Sequence, residues 1–291
     1  MPLHLLPASV SALAAVLAVT LLPLTSPAPA RAALVDVPML VTDRPSIEGT
    51  ARQGRVLRAK PGRWTPRREE TTYRWLRDGE RIRGAREHRY RLGVLDVGAR
   101  ISVEVRARAA GHRWTTAVST RTRRVAHAVP VRRRVTYSVT TRGPITTSTK
   151  AFRRQAQETF EDPRGWRSAG VDFRRVRRGG DFTLVLAAAR SVPTFAAGCS
   201  ATWSCRVGRW VIINQERWKH ASPAWNAAGR SLRDYRHMVV NHETGHWLGR
   251  GHVSCPRGGG RAPVMMQQSK GTGACTLNPW PLPWEAAGVR R

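Results

Sequence analysis

The sequence predicts an α+β protein built in two parts. An all-β domain is expected over residues 34–125, and a mixed domain of sheet and helices over residues 132–291. Three observations carry this reading. Residues 45–125 fall into short alternating apolar and polar runs broken by turn signals. From residue 135 to 214, strand-like runs flank one amphipathic helical stretch. Residues 231–247 then carry an apolar face at helical spacing, and that face includes two histidines four positions apart.

Taken in order, the chain opens with an apolar run over residues 10–24, followed by the small residues around Ala28, Ala30, Ala32 and Ala33. An apolar core ahead of small residues reads as an export signal, so residues 1–33 are expected to be removed after Ala32 or Ala33. The run is short for a membrane span, and Pro23 interrupts its end. The basic residues that usually precede such a core are missing from residues 1–9.

In the first domain, residues 55–59, 73–77 and 101–105 read as strands, and Asp78-Gly79 is a two-residue hairpin turn. Trp64, Trp75 and Trp114 are the large candidates for its core. Gly62-Arg63-Trp64, Tyr73-x-Trp75-Leu76-x-Asp78-Gly79, Tyr90-x-Leu92 and Asp96-Val97-Gly98 together resemble the immunoglobulin-like repeats of secreted bacterial proteins. That resemblance implies a β-sandwich with Trp75 buried in it, and a spacing or binding role without chemistry. Residues 126–131, with Pro130, form the expected linker, and Arg132-Arg133-Arg134 reads as a solvated strand start.

The second domain begins with a strand at residues 135–139. A helix is expected at 149–160, where Phe152, Ala156 and Phe160 share a face, and Pro163-Arg164-Gly165 ends it. Strands follow at 171–176, 182–187 and 210–214. Ser231 is the expected N-cap of the next helix, on which Leu232, Tyr235, Met238, Val239, His242 and His246 form one face.

That helix carries His242-Glu243-Thr244-Gly245-His246-Trp247-Leu248-Gly249-Arg250-Gly251-His252, which reads H-E-x-x-H-x-x-G-x-x-H. Residues four apart lie one above the other on a helix, so His242 and His246 can aim at one point. Glu243 sits one step round and can reach a water bound there. His252 reaches the same point only if the helix stops and the chain turns back. Gly249 stands where a left-handed residue would allow that turn. Three nitrogen ligands with a fourth position left open form a catalytic zinc site.

This stretch resembles the metzincin metallopeptidases, whose motif maps onto His242, Glu243, His246, Gly249 and His252 without a mismatch. That family also carries a methionine turn beneath the metal. Pro263-Val264-Met265-Met266 supplies one, with Met265 the better match and Met266 the alternative. The resemblance implies one zinc ion, hydrolysis of protein or peptide substrates, and Glu243 as general base to a zinc-bound water. It also implies that the strand before the zinc helix is an edge strand that aligns the substrate, a role that falls on Val211, Ile212, Ile213 and Asn214. Residues 132–291 further resemble a family of secreted actinobacterial proteins with this zinc motif, a Pro-Val-Met turn and an Asn-Pro-Trp-Pro ending, here residues 278–281. The chain departs from better-known metzincins at Val253, in having no tyrosine after Tyr235, and in lacking a recognisable cysteine or aspartate switch.

The four cysteines allow three pairings, and the local one, Cys199–Cys205 with Cys255–Cys275, is expected. Disulfides point to an oxidising compartment, so the protein is expected to be secreted, in keeping with the export signal, and cell-wall association is compatible. The net charge is +31, with lysine only at positions 60, 150, 219 and 270. Such a charge suits anionic surroundings, including a cell-wall polymer. The arginines are spread along the chain and form no single stripe, so no specific nucleic-acid partner is expected. A monomer is expected. The alternative function is a secreted wall-polymer or polyanion binder with a structural or inactive zinc site, which would have no need of Glu243.

Overall fold

Three apolar cores form among the described residues, each grown from the alternation of its strands. The computed structural model describes residues 37–289, so the expected signal peptide lies outside the described residues. The molecule is a mixed α+β protein with many strands and few helices.

In the first part, Thr115–Val118, Ile101–Arg108, Glu70–Arg77 and Glu80–Arg81 form a four-stranded antiparallel sheet in that order. Ser46–Glu48, Val56–Lys60 and Arg89–Arg91 form a three-stranded one. Strand side chains alternate between faces. Ile101, Val103, Val105 and Ala107 therefore turn one way, and they meet Leu57 and Ala59 of the other sheet in one cluster with Met39, Trp64 and Trp75. Trp75 is fully buried and its indole donates to the Glu87 carbonyl at 2.8 Å. Asp78 and Gly79 make the hairpin turn, both at positive φ (48° and 98°), as a primed turn requires. A buried carboxylate pins the far end: Asp96 accepts from the Arg77 guanidinium at 2.8 Å and from Tyr90 Oη at 2.9 Å. Burial, and then that bond, push the Tyr90 phenol up to about 12.

Trp114 is a correction. It lies outside the core, half-buried, with the guanidinium groups of Arg106 and Arg108 over its ring at 5.2 and 5.1 Å. The inward alternation of Ile101–Arg108 leaves those arginines facing outward, and Trp114 joins them there.

The connection between the parts is tied at both ends. Ala126 donates to the Ala51 carbonyl at 2.9 Å and Arg132 to the Gly170 carbonyl at 2.8 Å. Arg167 also donates to the Val129 carbonyl at 2.9 Å.

The second part is built on a five-stranded sheet. Its order is Val171–Arg175, Arg133–Arg142, Phe182–Ala187, Trp210–Asn214 and Cys205–Val207. The first four run parallel, and Cys205–Val207 lies antiparallel at the edge. A parallel sheet is covered on both faces, which favours apolar residues in its central strands. Phe182–Ala187 is buried throughout. Leu184 and Leu186 turn toward one core, with Val211, Ile213 and the helices α1 (Thr149–Glu161) and α4 (Leu232–Trp247). Val185, Ala187 and Ile212 turn the other way, under Val192 and Cys199. Two short helices, α2 (Gln215–His220) and α3 (Pro223–Ala227), link the last long strand to α4. A fifth helix, α5 (Pro283–Val289), closes the described chain.

The contact between α1 and α4 contains a buried histidine. His237 Nδ1 lies 2.9 Å from Thr159 Oγ1, whose own proton goes to the Gln155 carbonyl at 2.8 Å. The hydroxyl must then accept, so Nδ1 carries the hydrogen of a neutral ring. The other face of that ring packs on Trp280, centroid to centroid 4.7 Å. Burial pushes the His237 pKa below its usual value; Arg233 and Arg164 add to this, while Asp162 and Asp234 oppose it. The folded state therefore binds fewer protons than the unfolded chain, and stability falls as pH drops below about 6.5. In urea unfolding, the stability advantage of wild type over His237→Asn is expected to shrink by about 1 kcal/mol between pH 7.5 and 5.5. An advantage that stays constant with pH would show that His237 titrates normally.

Candidate metal centre

The centre stands on α4. Ser231 caps that helix, its hydroxyl accepting from the Asp234 amide at 3.0 Å. From Tyr235 to Gly245 every position but Arg236 is then buried. The helix ends in a left-handed turn at Gly249, φ +85°. The Arg250 amide reaches back to the Gly245 carbonyl at 2.9 Å and the Gly249 amide to the His246 carbonyl at 3.1 Å. This is the Schellman pairing, and it reverses the chain so that His252 returns over the helix.

The result is a triangle of imidazole nitrogens. His242 Nε2 lies 3.2 Å from His252 Nε2 and 3.2 Å from His246 Nε2, and His246 Nε2 lies 3.0 Å from His252 Nε2. His242 Nδ1 is 2.7 Å from the Val264 carbonyl and His246 Nδ1 is 2.8 Å from the Arg250 carbonyl. A carbonyl only accepts, so both Nδ1 atoms carry hydrogen and both Nε2 atoms present bare lone pairs. Lone pairs that close repel unless a cation sits between them. A tetrahedral ion with bonds of about 2.0–2.1 Å to nitrogen sets its ligands about 3.3 Å apart, close to the spacing here. The three histidines can therefore hold a metal ion.

Electrostatics agree with that geometry. Burial, then the neighbouring His246, bring the His242 pKa down to about 3. Burial also lowers His246 and His252. Glu243 is 6 % exposed, and burial pushes it up to about 8, against the pull of Arg206. Burial keeps the imidazoles neutral, as metal ligation requires, and a bound cation would draw the Glu243 pKa back down.

The group opens into a cleft of about 580 Å³. Its floor is the α4 face with Met238, Val239, His242, Glu243 and His246. One wall is the loop from Gly198 to Arg206, and another is His252 with residues 267–270. Met265 lies below. It is buried, whereas Met266 is partly exposed. A Cβ added to Gly245 would overlap the Met265 sulfur and stand 2.8 Å from the Trp166 ring. The glycine inside H-E-x-x-H is thus what lets the methionine approach the helix. Gly245→Ala is expected to cost about 1–3 kcal/mol in urea unfolding, since the indole it strikes is fully buried. An unchanged midpoint would mean that the turn yields freely.

The strand expected to align a substrate is not an edge. Val211, Ile212 and Ile213 are fully buried, and Trp210–Asn214 is paired on both sides. Asn214 is spent on structure, its side chain accepting from the Glu216 amide at 2.9 Å and donating to the Ala201 carbonyl at 2.8 Å. The free edge is Cys205–Val207, which enters the cleft through Cys205 and Arg206. It starts at the closing cysteine of the short disulfide loop, and the sequence signal for it is the Gly208-Arg209 turn, with Gly208 at φ +52°.

Residues 105–277, well over half of the chain, match the family described as "Protein of unknown function (DUF3152)". The chain belongs to that family. No curated protein matches it. In this DUF3152 protein the three histidines, Glu243 and Met265 all fall within the matched span.

One supporting residue lies beyond that span and was missed in the sequence. Glu285 of α5 is fully buried, and its carboxylate accepts from the amides of Met265 (2.9 Å), Val264 (3.0 Å) and Leu282 (2.7 Å). It holds the backbone whose Val264 carbonyl orients His242. The proline-rich ending serves the same turn. Asn278 donates to the Ala262 carbonyl at 2.8 Å, and Gln268 bridges the carbonyls of Pro263 and Asn278 at 2.9 and 2.8 Å. Trp280 is buried, whereas Trp284 is 46 % exposed. Two disulfides form in the expected pairing, Cys199–Cys205 in one wall and Cys255–Cys275 tying the chain after His252 to the chain beyond the methionines. Among the described residues no helix is long and apolar enough to cross a membrane.

Proposed function

We propose that this DUF3152 protein is a secreted, zinc-dependent endopeptidase of metzincin type, with an immunoglobulin-like first domain that acts as a spacer. The observation that carries the reading is the nitrogen triangle at 3.0–3.2 Å with the buried Glu243 carboxyl lining the same cleft. Imidazole ligands in a near-tetrahedral arrangement favour zinc. His242, His246 and His252 would hold it, and a bound zinc supplies Lewis acidity toward a carbonyl and toward water. The protein's own residues do the rest. Glu243 takes a proton from the attacking water and returns it to the departing amine nitrogen. The free edge of Cys205–Val207 offers unpaired backbone groups to an extended peptide, by strand addition. Met265 gives the imidazoles an apolar floor. Export accords with the two disulfides.

The purified protein is expected to contain one equivalent of zinc and to hydrolyse a general peptide pool. A chelator should abolish both and added zinc should restore both. Protein that retains zinc and cleaves no peptide overturns the reading, and favours a binding protein whose +31 charge engages an anionic wall polymer.

A further inference from the structure

The charges that line the cleft are unequally distributed. Glu243 is the only acid among the lining residues, and Arg206 and Lys270 are the fixed cations. They come from different elements. In Cys205–Val207, Cys205 and Val207 pack on the small core with Ile212, which turns Arg206 to the opposite face, toward α4. There its guanidinium donates to the His246 carbonyl at 3.0 Å. One donor of five is spent and the rest of the fork stays at the edge strand. Lys270 stands in the wall next to His252, exposed, with Nζ 3.4 Å from Gln267 Oε1. Both cations line the cleft that holds the three histidines, Arg206 from the edge strand and Lys270 from the wall that His252 shares. A divalent ion adds to the same sign.

We propose that the cleft selects acidic peptides, in which a carboxylate side chain beside the bond laid over the histidines is read by Arg206 and Lys270. The placement of the peptide rests on the peptidase reading; the preference for negative charge does not. An extended chain added to the free edge of Cys205–Val207 runs beside Arg206, whose planar fork suits a carboxylate. Lys270 supplies a mobile point charge from the other side. The net charge of +31 reinforces this at long range, drawing anionic partners toward the molecule and repelling basic ones.

The test uses the zinc-loaded Glu243→Gln protein, which binds without turning over, and three peptides identical but for Glu, Gln or Lys at the positions flanking the central bond. By calorimetry the Glu peptide is expected to bind about tenfold tighter than the Gln peptide, with the Lys peptide weakest. Lys270→Glu should remove most of that preference, and Arg206→Gln part of it. Added salt should narrow the gap. Equal binding of the three peptides overturns the proposal, as does an anionic glycopolymer that binds and leaves the acidic peptide unbound. Wild-type cleavage of the same set separates the two readings. An acidic preference in binding with no cleavage of any peptide sinks the peptidase reading alone, and equal cleavage of all three sinks the acidic preference alone.

Discussion

The Glu243→Gln variant is expected to keep its metal and its fold and to hydrolyse peptides about a thousandfold more slowly. The change conserves shape, and the imidazoles that would carry the ion are oriented by the Val264 and Arg250 carbonyls, which it does not touch. What it removes is a basic atom able to take a proton. The sign of the stability change distinguishes this from damage. Burial raises the Glu243 pKa in the folded protein to about 8, above its value in an unfolded chain. A raised carboxyl pKa means stability lost as pH climbs past the unfolded value near 4.3 toward the folded one. An amide carries no such penalty, so at neutral pH the metal-free variant should be at least as stable as metal-free wild type. Metal content, thermal midpoint and kcat/KM check all three points. Turnover at the wild-type rate would show that Glu243 is not the base.

Glu285→Ala is expected to lower stability by about 3 kcal/mol or more and to weaken zinc binding about 10- to 100-fold. Its carboxylate answers three amide donors, and alanine leaves two of them, those of Val264 and Met265, in the interior without that partner. Two of those amides belong to the turn that carries the His242 acceptor and Met265. Loss of the clamp therefore reaches the metal through the backbone. Glu285→Gln keeps one acceptor oxygen but sets an amide against a donor, so it should fall between wild type and alanine on both scales. Competition titration with a zinc chelator and urea unfolding separate the effects. A fall in stability with unchanged zinc affinity would confine Glu285 to holding the fold.

The centre was legible because most of it is local. Eleven consecutive residues carry the three ligands, the acid and the turn glycine, and helical geometry alone brings two of the ligands together. The long strands and α1 were legible for a similar reason, since alternation and the Phe152–Ala156–Phe160 spacing are written within each element. What the sequence hid depends on pairing. Trp210–Asn214 looks the same whether its neighbour is solvent or Cys205–Val207, so its edge status could not be read from its own residues. Trp114 was apolar enough for a core, yet it falls between two strands, on the side where Arg106 and Arg108 face outward. Glu285 reads as one more surface acid, because its partners are main-chain amides up to 21 positions away that have no side-chain signature.

The two covalent bridges have a consequence for when the molecule becomes competent. One lies in the loop beside Arg206 and the other joins the segments on either side of the methionines, while the helical floor between them contains none. A nascent chain held among reducing thiols can build the helix and still lack the sides that shape its mouth. On the proposed peptidase reading, oxidation of the two pairs would then be the step that completes the cavity.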